Sequence, residues 1–129
     1  MKLIKEIRSK KGVLHFKRWR ILKTPWFSIY IHGIYMHDLD PHSHNHPWKI
    51  WTMILKGGYL EKIESGGSDN FRIRNPGHMS YTTTESFHKI KRMIKTPTYT
   101  LAIVGKRTNE LWGYKVDGDF IDHKKYRKR

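Results

Sequence analysis

The chain is 129 residues long, with 37% hydrophobic and 13% aromatic residues, no cysteine and a formal net charge of +15. That length holds one domain with a real core, and the aromatic share argues for a folded, β-rich globule rather than a disordered chain. Disulfides and thiolate metal sites are excluded, no apolar run approaches the roughly 20 residues that span a bilayer, and the charge favours polyanionic or phosphorylated partners.

In the first segment Leu3, Ile4 and Ile7 sit at helical spacing and Gly12 is a reasonable stop, so residues 1–12 are expected to form a short helix or a basic arm. Lys2, Lys5, Glu6 and Arg8 interrupt it, so it cannot serve as a signal-peptide core, and the expected location is a cytoplasm. From Val13 onward the apolar pattern has period two. Strands are expected over Trp26–His32, Ile50–Leu55, Tyr59–Ile63, Phe71–Ile73, Phe87–Met93, Tyr99–Val104 and Leu111–Val116. Turn signals separate them at Gly57-Gly58, Ser65-Gly66-Gly67, Pro76-Gly77 and Asp117-Gly118. Pro25, Pro47, Pro76 and Pro97 fall at strand starts or turns, where a missing N–H costs little. Many short strands at regular intervals imply an all-β antiparallel sandwich or small barrel over residues 13–123. Residues 124–129 form a basic tail with no apolar periodicity to pack. Together with the basic residues between Lys2 and Lys23, this tail could contact nucleic acid non-specifically.

The chemistry concentrates in Asp40-Pro41-His42-Ser43-His44-Asn45-His46-Pro47-Trp48. In an extended segment side chains repeat every two residues, so His42, His44 and His46 leave one face. Imidazole is the commonest protein ligand for transition metals, and a metal needs several converging rings. His88, in Ser86-Phe87-His88-Lys89-Ile90, lies on another strand-like segment. Two strands of one barrel would then present histidines to a shared ion.

The run His44-Asn45-His46-Pro47-Trp48, followed by Ile54-Leu55-Lys56-Gly57-Gly58-Tyr59-Leu60-Glu61, resembles the first motif of the cupin family. Asn75-Pro76-Gly77 with Ser86-Phe87-His88 resembles the second. Arg18 to Phe27, Thr100 to Arg107 and Trp112-Gly113-Tyr114 are similar to the opening and closing strands of small single-domain cupins from phage and bacterial genomes. A phage origin would make the location a host cytoplasm. The resemblance implies a cupin-type jelly roll, a metal held by His44, His46 and His88, and His42 as a further ligand or as a support to one. The family's acid should stand at Ile50 or Trp51, where neither residue can bind metal. Glu61 is the nearest candidate acid on the following strand, and Asp38 and Asp40 precede the histidines.

Glu61 is therefore a candidate to orient a ligand histidine or to act as a base. Arg72 and Arg74 share a face and could line a positive entrance for a carboxylate or phosphate, and Trp48 could stack on a substrate. His32, His37 and His78 read as ordinary strand or loop histidines, and His15 and His123 as solvent-facing. The cofactor would be a divalent ion: iron for dioxygen chemistry, or manganese, nickel or zinc for isomerisation or hydrolysis. Three functions follow: an oxygenase-like or isomerase-like enzyme acting on a small anionic substrate; a non-enzymatic barrel that sequesters an anionic small molecule such as a nucleotide signal; or a nucleic-acid-associated protein. Homodimerisation through a sheet is compatible with each.

Overall fold

The computed structural model describes residues 1–37, 42–65, 68–108, 112–116 and 119–127. Asp38, Asp40 and the turns expected at Gly66-Gly67 and Asp117-Gly118 lie outside the described residues. Among the described residues ten strands and one short helix follow in order: β1 Lys2–Arg8, β2 Leu14–Lys23, β3 Phe27–Ile34, β4 Ser43–His44, β5 Ile50–Ser65, β6 Ser68–Arg74, β7 Met79–Thr82, β8 Phe87–Gly105, β9 Gly113–Val116, β10 Asp119–Asp122 and α1 His123–Arg127. Every strand pairing is antiparallel. Hydrogen bonding runs β1-β2-β3-β8-β4-β9-β10, while β5 pairs with β6, β7 and β8. The expected all-β sandwich is what forms.

The expected helix at the start does not form. Lys2–Arg8 is an exposed edge strand, with Leu3 opposite Trp19 and Ile7 opposite Phe16. Seven residues with three apolar side chains bury too little to hold a helix, whereas the edge of β2 offers a full ladder. Near the opposite end, His123–Arg127 form the short helix α1. Tyr126 of α1 stacks on Tyr114 of β9 at 3.9 Å between ring centroids. One aromatic residue docks a segment whose charge alone suggested solvent.

The strands expected on either side of Gly57-Gly58 are one strand, β5, and those on either side of residue 96 are one strand, β8. Residues 50–54 of β5 pair with 100–104 of β8, and residues 58–64 pair with 87–95, with register shifts between the halves. Gly57 and Gly58, at φ 99° and 141°, sit in this bend rather than in a reversing turn. The bend folds both ladders over a small core of Ile34, Ile54 and Tyr59, packed by Phe16, Ile90 and Met93. It also carries the start of β8, with His88, against the short strand β4.

Candidate metal centre

Burial alternates along β4 and its continuation. Ser43, Asn45 and Pro47 are buried, while His42, His44, His46 and Trp48 are half-buried. That is the period-two pattern of an extended segment, with its histidines on one face. A two-residue strand cannot hold itself by backbone bonds, and side chains behind it complete the attachment. Asn45 donates from Nδ2 to the Thr84 carbonyl at 2.8 Å, accepts the Gly113 N–H on Oδ1 at 2.7 Å, and donates its own N–H to the Gly113 carbonyl at 3.2 Å. The Ser43 hydroxyl donates to Glu64 at 3.1 Å. Asn45 was not read from the sequence as a site residue. Its signal is a polar residue on the buried side, between two histidines that share the other side.

His44 lies opposite His88 of β8 in register and opposite Tyr114 of β9. His46 follows just beyond the strand. The rings of His44, His46 and His88 converge: one nitrogen from each lies within 4.8 Å of the others, and the centroids are 4.9–5.3 Å apart. Burial, then the neighbouring His88 and His44, then Arg18 and His32, hold the His46 ring well below the ordinary histidine range. His46 therefore stays neutral, the form that binds a metal.

Glu61 of β5 stands behind His88. Its Oε2 lies 3.0 Å from His88 Nδ1, and its Oε1 accepts two bonds from Arg74, at 3.0 and 2.8 Å. Burial pushes this carboxyl up, but the hydrogen bond and charge of His88 and the Arg74 guanidinium outweigh it and bring it below the ordinary range. An ionised Glu61 takes the proton on Nδ1 of His88 as a hydrogen bond, which leaves the lone pair on Nε2. That Nε2 is buried and has no hydrogen-bond partner.

The other expected residues are placed as follows. His42 is outside the converging group and lies 2.9 Å from the Tyr126 hydroxyl through Nδ1. Trp48 stacks on His46, 5.7 Å between centroids, with the Arg107 guanidinium 5.7 Å from its ring. Arg72 is exposed and pairs in register with Glu61. With Arg74, Glu61, Asn70 and Ser80 it lines a cleft of about 420 Å³ that reaches the three rings at His88. His123 stacks on Trp112 at 4.1 Å rather than facing solvent. His32, read as ordinary, turns to the interior beside Arg18, whose Nε donates to its Nε2 at 3.0 Å.

The residues fit a divalent metal. Three imidazoles converge, and one of them has an orphaned buried nitrogen whose opposite side is fixed by a carboxylate, the arrangement that orients metal-bound histidines. Among the described residues no carboxylate belongs to the converging group.

No family model and no curated protein sequence matches the chain. Solved structures do. The hydroxypropylphosphonic acid epoxidase from S. wedmorenis superposes with a TM-score of 0.57 at 12% identity, over 78% of this chain and 54% of its own. A provisionally named mannose-6-phosphate isomerase from Ralstonia eutropha JMP134 gives 0.60 at 18% identity, over 70% of this chain and 84% of its own. A structure described for the DMSP lyases RdDddP and RnDddQII gives 0.57 at 14% identity, over 74% and 53%. The chain has the cupin fold. It spans about half the length of the epoxidase and lyase chains that it matches. The epoxidase has been solved with Fe(II) and with Co(II). Among the described residues of this cupin fold no helix is long and apolar enough to cross a membrane.

Proposed function

We propose that this protein is a metal-dependent enzyme of the small single-domain cupin group, acting on a small anionic substrate by an oxygenase-like or isomerase-like reaction. The observation that carries the reading is the convergence of His44, His46 and His88, with Nε2 of His88 buried and unpartnered. A divalent ion held by three neutral imidazoles keeps its double charge, and when bound supplies Lewis acidity and open positions for water, dioxygen or substrate. The chain's own residues prepare that site. Asn45 fixes β4, Glu61 fixes the tautomer and direction of His88, and Trp48 holds the plane of His46. Glu61 has both oxygens engaged, so it acts through His88 rather than as a base on the substrate. Arg72 guards the cleft beside His88 and would draw an anion inward. Hydroxypropylphosphonic acid and mannose 6-phosphate, named for two of the similar structures, are both small anions, which supports that substrate class.

Elemental analysis of untagged protein purified without added metal tests the reading. About one equivalent per chain is expected, lost in His88→Ala. Affinity should weaken as pH falls through about 6.5, because ligation requires neutral imidazole. Oxygen uptake with bound iron would select the oxygenase class. Stoichiometric metal that persists after His44, His46 and His88 are all replaced by alanine would rule the centre out.

A second reading is favoured by the absence of a carboxylate from the converging group among the described residues. In it the barrel sequesters an anionic small molecule without turnover. A ligand retained in metal-free protein, with no reaction on adding metal, would support it. Non-specific nucleic-acid contact rests on the +15 charge, and a steep fall of binding with salt is its test.

A further inference from the structure

Arg18 is a further cation on the interior of the sandwich, and nothing in the sequence pattern marked it. In register Phe16 pairs with Ile34, Arg18 with His32, and Arg20 with Tyr30. Side chains two apart share a face, and Ile34 and Phe16 belong to the core, so Arg18 and His32 project to the interior of the sandwich. Arg18 is held tightly there. Its Nε donates to His32 Nε2 at 3.0 Å, and its guanidinium carbon lies 5.0 Å from the Tyr30 ring and 5.7 Å from the Phe16 ring. His32 in turn packs on Phe16 at 5.1 Å and Tyr30 at 5.9 Å.

This arrangement is unusual for a half-buried arginine. Its hydrogen-bond partner is a neutral ring, and among the described residues no carboxylate pairs with it. Its two terminal nitrogens carry no hydrogen bond among the described residues. Arg74, by contrast, is spent on Glu61 through both Nε and one terminal nitrogen. The terminal nitrogens of Arg18 are not sealed from water, and a half-buried cation without an internal counter-ion gains from an anion that supplies the opposite charge. A planar fork fixed at Nε and clamped between rings is already set to grip two oxygens of a carboxylate, phosphonate or phosphate.

We infer that Arg18, anchored by His32 and stacked against Tyr30 and Phe16, binds the anionic group of the ligand and so sets its orientation toward the three histidines. This deepens the reading above and rests on it for what lies at the other end of the ligand. Phe16, Ile34 and Ile90 pack in one core, and Arg18, His32 and His88 each stand two residues further along the same strand faces, so the fork and the centre share one interior. The cleft with Arg72 lies on the His88 side. A substrate held at Arg18 would face the centre from within that interior, with Arg72 in the cleft at His88.

The test is calorimetric titration of the full chain with inorganic phosphate and with methylphosphonate, in chelator-treated protein and in protein loaded with Co(II). Arg18→Gln should weaken both anions about 10- to 100-fold, the loss expected of charge-assisted hydrogen bonds. Arg18→Lys, which keeps charge but not the fork, should lose less, and Lys10→Ala, an exposed residue in the turn between β1 and β2, should stay within about twofold of the parent in the same comparison. The Co(II) stoichiometry and visible spectrum should be unchanged in all three. If Arg18→Gln fails to fold by circular dichroism, Arg18→Lys and His32→Gln carry the test, both expected to bind the anions more weakly than the parent. Parent-like anion affinity in the folded Arg18 variants overturns the inference while leaving the metal centre standing. If Co(II) binds equally well without the three histidines but the anions still depend on Arg18, the metal reading fails and the anion site stands.

Discussion

Glu61 accepts two hydrogen bonds from Arg74 and one from His88 while only 6% exposed. Glu61→Gln keeps the shape and removes the charge. His88 would lose the group that selects its tautomer, and Arg74 would be left as a poorly compensated cation. Metal affinity should drop about 10- to 100-fold, measured by competition with a chelator, and stability should fall by about 1–3 kcal/mol in urea. A variant that holds metal as tightly as the parent would show that Glu61 does not orient His88. The histidines and Glu61 were legible in the sequence because residue type and period two suffice to nominate them. Which charges pair was not. Arg74 reads like Arg72 in the sequence, yet one is neutralised by Glu61 and the other faces the cleft. Arg18 and His32 are 14 residues apart and meet only through the β2–β3 register.

At the level of elements, the bend shared by β5 and β8 sets the shape. A Cβ on Gly57 would stand 2.5 Å from Thr98 Oγ1, 2.7 Å from Thr98 Cα and 2.8 Å from the Pro97 carbonyl oxygen. The backbone there also has positive φ, which disfavours any side chain. Thr98 is fully buried, and its hydroxyl accepts the Gly58 N–H at 2.9 Å while lying 3.0–3.1 Å from the carbonyls of Lys95 and Gly58. Gly57→Ala should cost well over about 1 kcal/mol, since strain and overlap add. Thr98→Val should cost about 1–3 kcal/mol by leaving the Gly58 N–H unpaired. Chemical denaturation with unchanged m-value checks both, and a neutral Gly57→Ala would mean that the bend is not built on this close approach. The sequence marked two glycines as a break between strands, and they are a break in direction instead. A glycine pair is compatible with either, and the long-range β5–β8 pairing decides between them.

For the molecule as a whole, acid is the main hazard. Burial, with the positive charges of Arg18 and Lys5, takes His32 down to about 3. His46 is depressed in the same direction. Both rings are neutral when folded but take up protons near pH 6.5 when unfolded, so the unfolded state binds more protons below that pH. The stability they contribute is complete above about pH 6.5 and is lost as pH falls, for His32 down to about 3, at up to about 1.4 kcal/mol per unit for each ring. The net charge of +15 rises further over the same range, and self-repulsion adds to the loss. Urea midpoints measured from about pH 7 to about pH 5 should fall for the parent and fall less steeply for His32→Gln. Parallel curves would show that His32 is not held neutral in the fold.

Asn45 has a consequence beyond holding the histidine strand in place. Its Oδ1 accepts the N–H of Gly113, a buried glycine whose α-carbon has no room for a side chain against the Ile121 carbonyl and Asp122. That N–H can trade its hydrogen for deuterium only when β4 lifts away from β9. Its exchange rate in heavy water is thus a clock for the opening of the histidine strand, readable from one amide resonance. A bound metal tying His44 and His46 to His88 should slow this clock far more than it slows the amides of the β1–β2 edge, which share no residue with the centre. Equal slowing at both places would mean that the metal stiffens the barrel as a whole rather than fastening its shortest strand.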